Sequence, residues 1–162
     1  MADVFLGLGS NLGDRQANIR EAVDRLSRNE HITIKRLSSI YETAPQGRVD
    51  QPDFLNAVVL IDTDLDPIDL LDVILLTESE IGRVRSEHWG PRLIDIDILL
   101  FDNVVMNATD LTIPHPCMME RAFVMIPLAE IAPNLRLPGG KTTSEMAEQL
   151  AGQGVRRFSE VD

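Results

Sequence analysis

The chain has 162 residues, 44% of them apolar and 25% charged, which suits one compact domain over 1–162 with a real hydrophobic core and leaves too little for two of ordinary size. Fifteen Lys and Arg stand against 26 Asp and Glu, a formal net charge of -11, so a polyanion gains nothing from the global field and no nucleic-acid partner is expected. Cys117 is the single cysteine and allows no internal disulfide, Met1-Ala2-Asp3 opens without the basic and apolar runs of a signal peptide, and no apolar run reaches the roughly 18 to 20 residues of a bilayer span, so a cytoplasmic protein with no membrane contact is expected.

Val4 to Leu8 read as a buried strand running into a cluster of glycines and small polar residues, Gly7, Gly9, Ser10, Asn11 and Gly13, which suggests a tight turn. Asp14 then caps a helix whose apolar stripe is Ile19, Ala22, Val23 and Leu26. A second strand starts at Ile32 and continues through Ser39, Ile40 and Tyr41 into a long polar connection, Thr43 to Asp53. Phe54 to Ile61 is a nearly unbroken apolar run, the mark of a strand buried on both faces, with Asn56 as its polar exception. Asp66 and Pro67 open the next helix, with Ile68, Leu71, Ile74, Leu75 and Ile81 as its expected buried side.

Leu93 to Phe101 alternates cleanly at its start and reads as a strand. A short strand near Met106 and an extended piece at Leu111 to Ile113 follow, then helix from Met118 to Ile131, broken or bent near Pro127. Thr142 with Glu145 forms a capping box for a last short helix, and the tail either adds an edge strand or frays. The order strand, helix, strand, strand, helix, strand predicts an α+β protein, a ferredoxin-like antiparallel sheet with helices packed on both faces and extra C-terminal elements.

Asp95 and Asp97 lie two apart in a strand, so both carboxylates share one face while Ile94, Ile96 and Ile98 share the other. Two such anions are relieved by a shared proton, by basic neighbours or by a hard divalent cation; a wet edge-strand face is the plainer account. The preceding segment 83–92 holds Arg83, Arg85 and Arg92 against one acid, Glu87, a local net of +2 with His88 neutral. That contrast fits terminal phosphates held by arginine with a cation on the carboxylates, or else a surface loop paired with acids elsewhere. Trp89 in this segment, like Phe54 near the earlier loop, is a hydrophobic anchor or a face for a heterocycle, and Asn56, on the Phe54 side of its strand, offers both donor and acceptor. The glycine cluster lacks the Gly-Lys-Ser/Thr ending of a P-loop, and no zinc or serine-hydrolase motif occurs. A ferredoxin-like small-molecule sensor and an interaction protein are the alternatives from other classes.

Gly7 to Asp14 (GLGSNLGD), YETAP at 41–45, QPDFLNAV at 51–58, GRVR at 82–85, WGPRLIDIDILLF at 89–101, IPHP at 113–116 and RAFVMIPLAEIAP at 121–133 resemble the 6-hydroxymethyl-7,8-dihydropterin pyrophosphokinases over nearly the whole chain. The resemblance implies transfer of the β,γ-pyrophosphoryl unit of ATP to the pterin alcohol in folate synthesis, releasing AMP, with two Mg2+ ions on Asp95 and Asp97. It further implies that Asn56 reads the pterin edge beside Thr43, Ala44, Pro45 and Gln46, and that Phe54 and Phe123 sandwich the ring. Arg83, Arg92, His115 and Arg121 would meet the triphosphate, Arg85 and Trp89 would move with a closing loop, and Glu78 and Ile98 would serve the nucleotide. A monomeric, monofunctional enzyme whose partners are ATP and the pterin is the corresponding expectation. The chain departs from the family pattern at Phe54, where the pattern has tyrosine, at His88 for an arginine in a loop one residue shorter, at Pro116 for a tyrosine and at Leu75 for a glutamine.

Overall fold

A computed structural model describes residues 1–44, 53–83 and 93–158. In chain order the elements are β1 (Ala2–Ser10), α1 (Arg15–Ser27), β2 (Ile32–Leu37), β3 (Tyr41–Thr43), β4 (Phe54–Thr63), α2 (Pro67–Arg83), β5 (Asp95–Phe101), β6 (Met106–Asn107), β7 (Thr112–Ile113), a 3-10 turn (Met118–Glu120), α3 (Ala122–Ile131), α4 (Thr143–Gln149), a second 3-10 turn (Ala151–Gln153) and β8 (Arg156–Arg157). Among the described residues the main sheet is antiparallel, in the order β5-β1-β4-β3-β8, with β2 also paired to β4, and β6 and β7 form a separate two-stranded ribbon. The α+β reading, with helices on both sheet faces and added C-terminal elements, holds.

Strand alternation sorts the core into two layers. Val4, Leu6 and Leu8 of β1, Leu55, Ala57, Val59 and Ile61 of β4, and Ile96 and Ile98 of β5 join Ile19, Ala22 and Leu26 of α1 and Leu70 and Ile74 of α2 in one cluster. Phe5, Val58, Leu60, Leu99 and Leu100 join Val124, Met125 and Leu128 of α3 in the other. A bulge opposite Phe5 and Leu6 admits Leu99 as an extra residue in β5. It lets Leu99 and Leu100 serve the same layer and returns Phe101 to the α1/α2 layer, which explains why the alternation so clear at Ile94 to Ile98 ends there.

Both first-half helices start as their sequences dictate: Asp14 Oδ1 accepts the Ala17 amide and Asp66 Oδ1 the Asp69 amide. The Thr142–Glu145 capping box is present in full, and the tail adds an edge strand, β8.

Four expectations are corrected. Gly7 and Gly9 are strand residues; only Gly13, at φ 67°, lies in the turn. The second strand is two, because Ser38 leaves the ladder to donate its amide to the Val58 carbonyl and accept the Val58 amide on its hydroxyl. The buried stripe of α2 is Leu70, Ile74, Thr77 and Ile81, while Ile68 and Leu75 are 44% and 49% exposed; a helix apolar on nearly every side gives period no purchase. The helical region 118–131 breaks at Arg121, which is extended, and Pro127 sits inside α3.

Candidate active site

The α3-side surface of the sheet is only half covered. Register puts Asn56, Gly9 and Asp95 on one rung across β4, β1 and β5, and Val58, Gly7 and Asp97 on the next. Glycine in the central strand leaves a trough between Asn56 on one bank and the two carboxylates on the other. The fit is close: a Cβ on Gly9 would stand 3.1 Å from Asn56 Oδ1, and one on Gly7 would stand 3.4 Å from the Leu99 side chain. The trough widens into a cleft of about 290 Å³, walled by Thr43, Ala44 and Phe54 beside the end of β3 and by His115 and Arg121 beside Asp97, with Phe123 of α3 also in its lining.

Asn56 is 6% exposed, and its Nδ2 is buried with no hydrogen-bond partner among the described residues. A buried amide left unpaired costs about 1–3 kcal/mol, so this atom asks for an acceptor on a molecule that enters the cleft. Phe54 and Phe123, both half-buried, supply flat apolar faces at the same site. The Arg121 guanidinium lies 5.5 Å from the Phe123 ring centre, at the start of α3.

Asp97 is exposed to the cleft and Asp95 half-buried; two rises of about 3.3 Å put them roughly 6.6 Å apart along the strand. Their oxygen donors suit a hard cation, and the glycine floor leaves the room that a Cβ would take. Among the described residues no third His, Cys, Asp or Glu joins them. The pair thus fits an ion that keeps water and phosphate oxygens in most of its positions, which is the habit of magnesium rather than zinc.

The His115 imidazole is held below its ordinary pKa, first by burial and then by the Arg121 charge, with Asp97 pulling the other way. Its Nδ1 accepts the Cys117 amide at 3.2 Å, so the neutral ring carries its proton on Nε2 and is a donor there. With a neutral Nε2–H donor and the fixed positive charge of Arg121 side by side, this part of the cleft is suited to receive anionic oxygen.

A profile of the family 7,8-dihydro-6-hydroxymethylpterin-pyrophosphokinase matches residues 5–133. The chain belongs to that family. The 2-amino-4-hydroxy-6-hydroxymethyldihydropteridine pyrophosphokinase of Methylorubrum extorquens is 46% identical over 157 residues, spanning 97% of this chain and 99% of its own. The protein of the same name from Pseudomonas aeruginosa is 42% identical over 155 residues, spanning 96% of each. A crystal structure of an HPPK-DHPS in complex with substrates superposes with a TM-score of 0.73 at 16% identity, over 91% of this chain and 43% of that one. Wild-type Plasmodium falciparum HPPK-DHPS with pteroate gives 0.71 at 18%, over 91% and 42%. At that identity the two structures show a shared fold, and this chain spans less than half the length of either. As a member of the family the chain is an ATP-dependent pyrophosphokinase that converts the hydroxymethyldihydropterin to its pyrophosphate and leaves AMP.

Of the residues singled out from the pyrophosphokinase resemblance, the cleft gathers Thr43, Ala44, Phe54, Asn56, Asp95, Asp97, His115, Arg121 and Phe123. Glu78 and Ile98 stand elsewhere. Glu78 Oε2 accepts the Ile96 amide at 2.7 Å on the outer edge of β5, and the Ile98 side chain is 4% exposed in the α1/α2 layer. Arg83 is the last residue of α2. Pro45, Gln46, Arg85, Trp89 and Arg92 lie outside the described residues, as does His88. Sequence reasoning missed the floor. Gly7 and Gly9 are two apart, as Asp95 and Asp97 are, and that shared period of two was the signal that they line one strand face.

Proposed function

We propose that this cleft performs the family reaction with the pterin at the Asn56 end and the ATP phosphates at the Asp97, His115 and Arg121 end. The observation that carries the assignment is the buried, partnerless Nδ2 of Asn56, which a pterin ring acceptor would satisfy, facing a carboxylate pair across a floor of glycine. Phe54 and Phe123 sandwich the ring, and Thr43 and Ala44, with Pro45 and Gln46, flank its edge. The hydroxyl oxygen of the pterin attacks the β-phosphorus of ATP; the new O–P bond forms as the bond from that phosphorus to the α-phosphate bridging oxygen breaks. AMP departs and the hydroxyl proton passes to water.

Asp95 and Asp97 hold two magnesium ions, which supply charge neutralisation on the phosphate oxygens. Neither aspartate is the general base. The Arg121 guanidinium and the Nε2–H of His115 donate to phosphate oxygens, and Arg83 and Arg92 add positive charge to the same end, so the catalytic advantage is orientation and charge compensation in a partly dry cleft. Arg85 and Trp89 cover the bound nucleotide, and Glu78 and Ile98 lie on its nucleoside side, Ile98 through its backbone because its side chain is buried in the α1/α2 layer. The working unit is a cytoplasmic monomer of one catalytic domain; no described helix is long and apolar enough to cross a membrane. The test is direct: purified protein with ATP and magnesium should form AMP only when 6-hydroxymethyl-7,8-dihydropterin is added, and AMP formation indifferent to the pterin would overturn the assignment.

A further inference from the structure

Two arginines distant in sequence close on the same two acidic residues. Arg15, at the start of α1, donates from Nη1 to Glu42 Oε2 at 2.9 Å and to the Asp53 carbonyl at 2.8 Å. Arg156, in β8, donates from Nη2 to Glu42 Oε1 at 2.9 Å and to Asp53 Oδ2 at 2.8 Å. Each guanidinium bridges Glu42 to Asp53, and both oxygens of Glu42 are engaged. The tail is held in register for this: Arg156 lies opposite Glu42 in the β3–β8 ladder, the Phe158 amide donates to the Ile40 carbonyl at 2.8 Å, and the Phe158 ring lies 5.9 Å from the Arg15 guanidinium.

Glu42 and Asp53 immediately precede Thr43 and Phe54, which face each other as the last rung of the β3–β4 ladder and wall the pterin end of the cleft. Successive strand residues point to opposite faces, so the two arginines grip the rung from behind while its front stays open to ligand. We propose that Arg15 and Arg156 are positioning residues: they clasp the end of the three-residue strand β3 to the start of β4 and so preform the pterin wall. This rests on the reading of the cleft given above.

The pairs are individually of the weak surface kind, Arg156 having a side chain 56% exposed. Their weight lies in convergence, four charge-assisted bonds on two residues. A short strand end left to fray would have to be ordered by the incoming pterin, and that ordering would be subtracted from its affinity. Arg156 also lies beyond residue 133, where the match to the family profile ends, whereas Arg15, Glu42 and Asp53 lie within it, so only the C-terminal arm of the clasp is no part of the profile.

The experiment is steady-state kinetics with each substrate varied in turn, on the parent, Arg15→Ala, Arg156→Ala and the double variant. Arg25→Ala serves as control; it removes ion pairs of the same helix to Glu21 and Glu80. Each single clasp variant should raise the KM for pterin by about three- to tenfold with kcat and the KM for ATP little changed, and the double should fall short of the product of the singles because the arginines share their acceptors. The uncharged pterin has no Coulomb attraction of its own to screen, so raising salt at saturating ATP and magnesium should raise the pterin KM of the parent and leave that of the double variant flat. An unchanged pterin KM in all three variants, a rise shared equally by ATP, or a parent insensitive to salt overturns the clasp. The salt series needs only the parent, so it decides even where a variant fails to fold. A parent that makes no AMP from ATP and pterin overturns the reading of the cleft instead.

Discussion

The two faces of the sheet are made by the same strands and finished in opposite ways. Toward α1 and α2, β1, β4 and β5 present Val4, Leu6, Leu8, Ala57, Val59, Ile61, Ile96 and Ile98, all buried. Toward α3, the alternate positions are Gly7, Gly9, Asn56, Asp95 and Asp97, and the layer begins to close at Val58, on the Gly7–Asp97 rung, and continues at Phe5, Leu60 and Leu100. One face is filled for stability and the other holds a glycine floor, an unpaired Asn56 Nδ2 and two neighbouring like charges, features that leave room and chemistry for a ligand. Function here is a local departure from packing, one residue out of phase with the core in the same strands.

The largest effects should separate the two faces completely. Asp97→Ala and Asp95→Ala should lower kcat by orders of magnitude and abolish the normal magnesium dependence, and Asp97→Ala should leave thermal stability unchanged or raised, because removing one of two neighbouring carboxylates relieves repulsion in the metal-free protein. Leu6→Ala, on the other face of β1, should lower stability by about 2–5 kcal/mol in a denaturant titration while kcat per folded molecule is kept. If Leu6→Ala destroyed turnover in molecules still folded, or the aspartate variants kept parent rates, the division between the faces would collapse.

The core face was legible in the sequence because its signal is repetition. The run from Phe54 to Ile61 and the alternation Ile94, Ile96, Ile98 each give a strand and its buried side at once, and Asp14, Asp66 and Thr142 mark helix starts by chemistry that needs only a few neighbouring residues. The shared face of Asp95 and Asp97 was legible for the same reason, as the polar half of an alternating strand. What the sequence concealed depends on partners far away in the chain. Gly7 and Gly9 read as turn residues until their register against Asn56 and the aspartates is known. Ser38 splits a strand through two hydrogen bonds to Val58, and the buried side of α2 cannot be picked from a helix that is apolar nearly all round. Asn56 was a plausible reader of a heterocycle from its position, but its unpaired Nδ2 is a fact of three dimensions.

A smaller effect sharpens the comparison within the cleft face itself. Asn56→Ala should weaken pterin binding by about 1–3 kcal/mol and leave ATP binding nearly unchanged, since its Nδ2 has no partner among the described residues to lose. Gly9→Ala should act through the same atom pair, its methyl pressing on Asn56 Oδ1 from 3.1 Å; calorimetry on the double variant should therefore give less than the sum of the two single losses. Strict additivity would mean that Gly9 serves some purpose other than seating Asn56.

The smallest effect concerns the carboxylate that ties the two regions together at the rim. Glu130 of α3 accepts the Ser39 amide at 3.0 Å and the Tyr41 hydroxyl at 2.7 Å on Oε1, and the Ser39 hydroxyl at 2.8 Å and Arg157 at 3.4 Å on Oε2. Burial alone would push its pKa up, but the hydrogen bonds from Tyr41 and Ser39, with the Arg157 charge, outweigh burial and hold Glu130 below the ordinary value of 4.5. A folded-state pKa lower than the unfolded one means the unfolded chain binds the proton more readily. The contribution to stability is therefore complete above the unfolded value and disappears as pH falls through the folded one. Glu130→Gln removes the titrating group and keeps one acceptor oxygen, so urea midpoints of parent and variant should differ at about pH 6 and draw together toward about pH 3. Other carboxylates titrate in that range, but they are common to both proteins and cancel in the difference. A constant gap between the two curves would show that Glu130 holds α3 to β3 by packing alone, and that the charge at this corner contributes nothing to keeping the open face of the sheet in place.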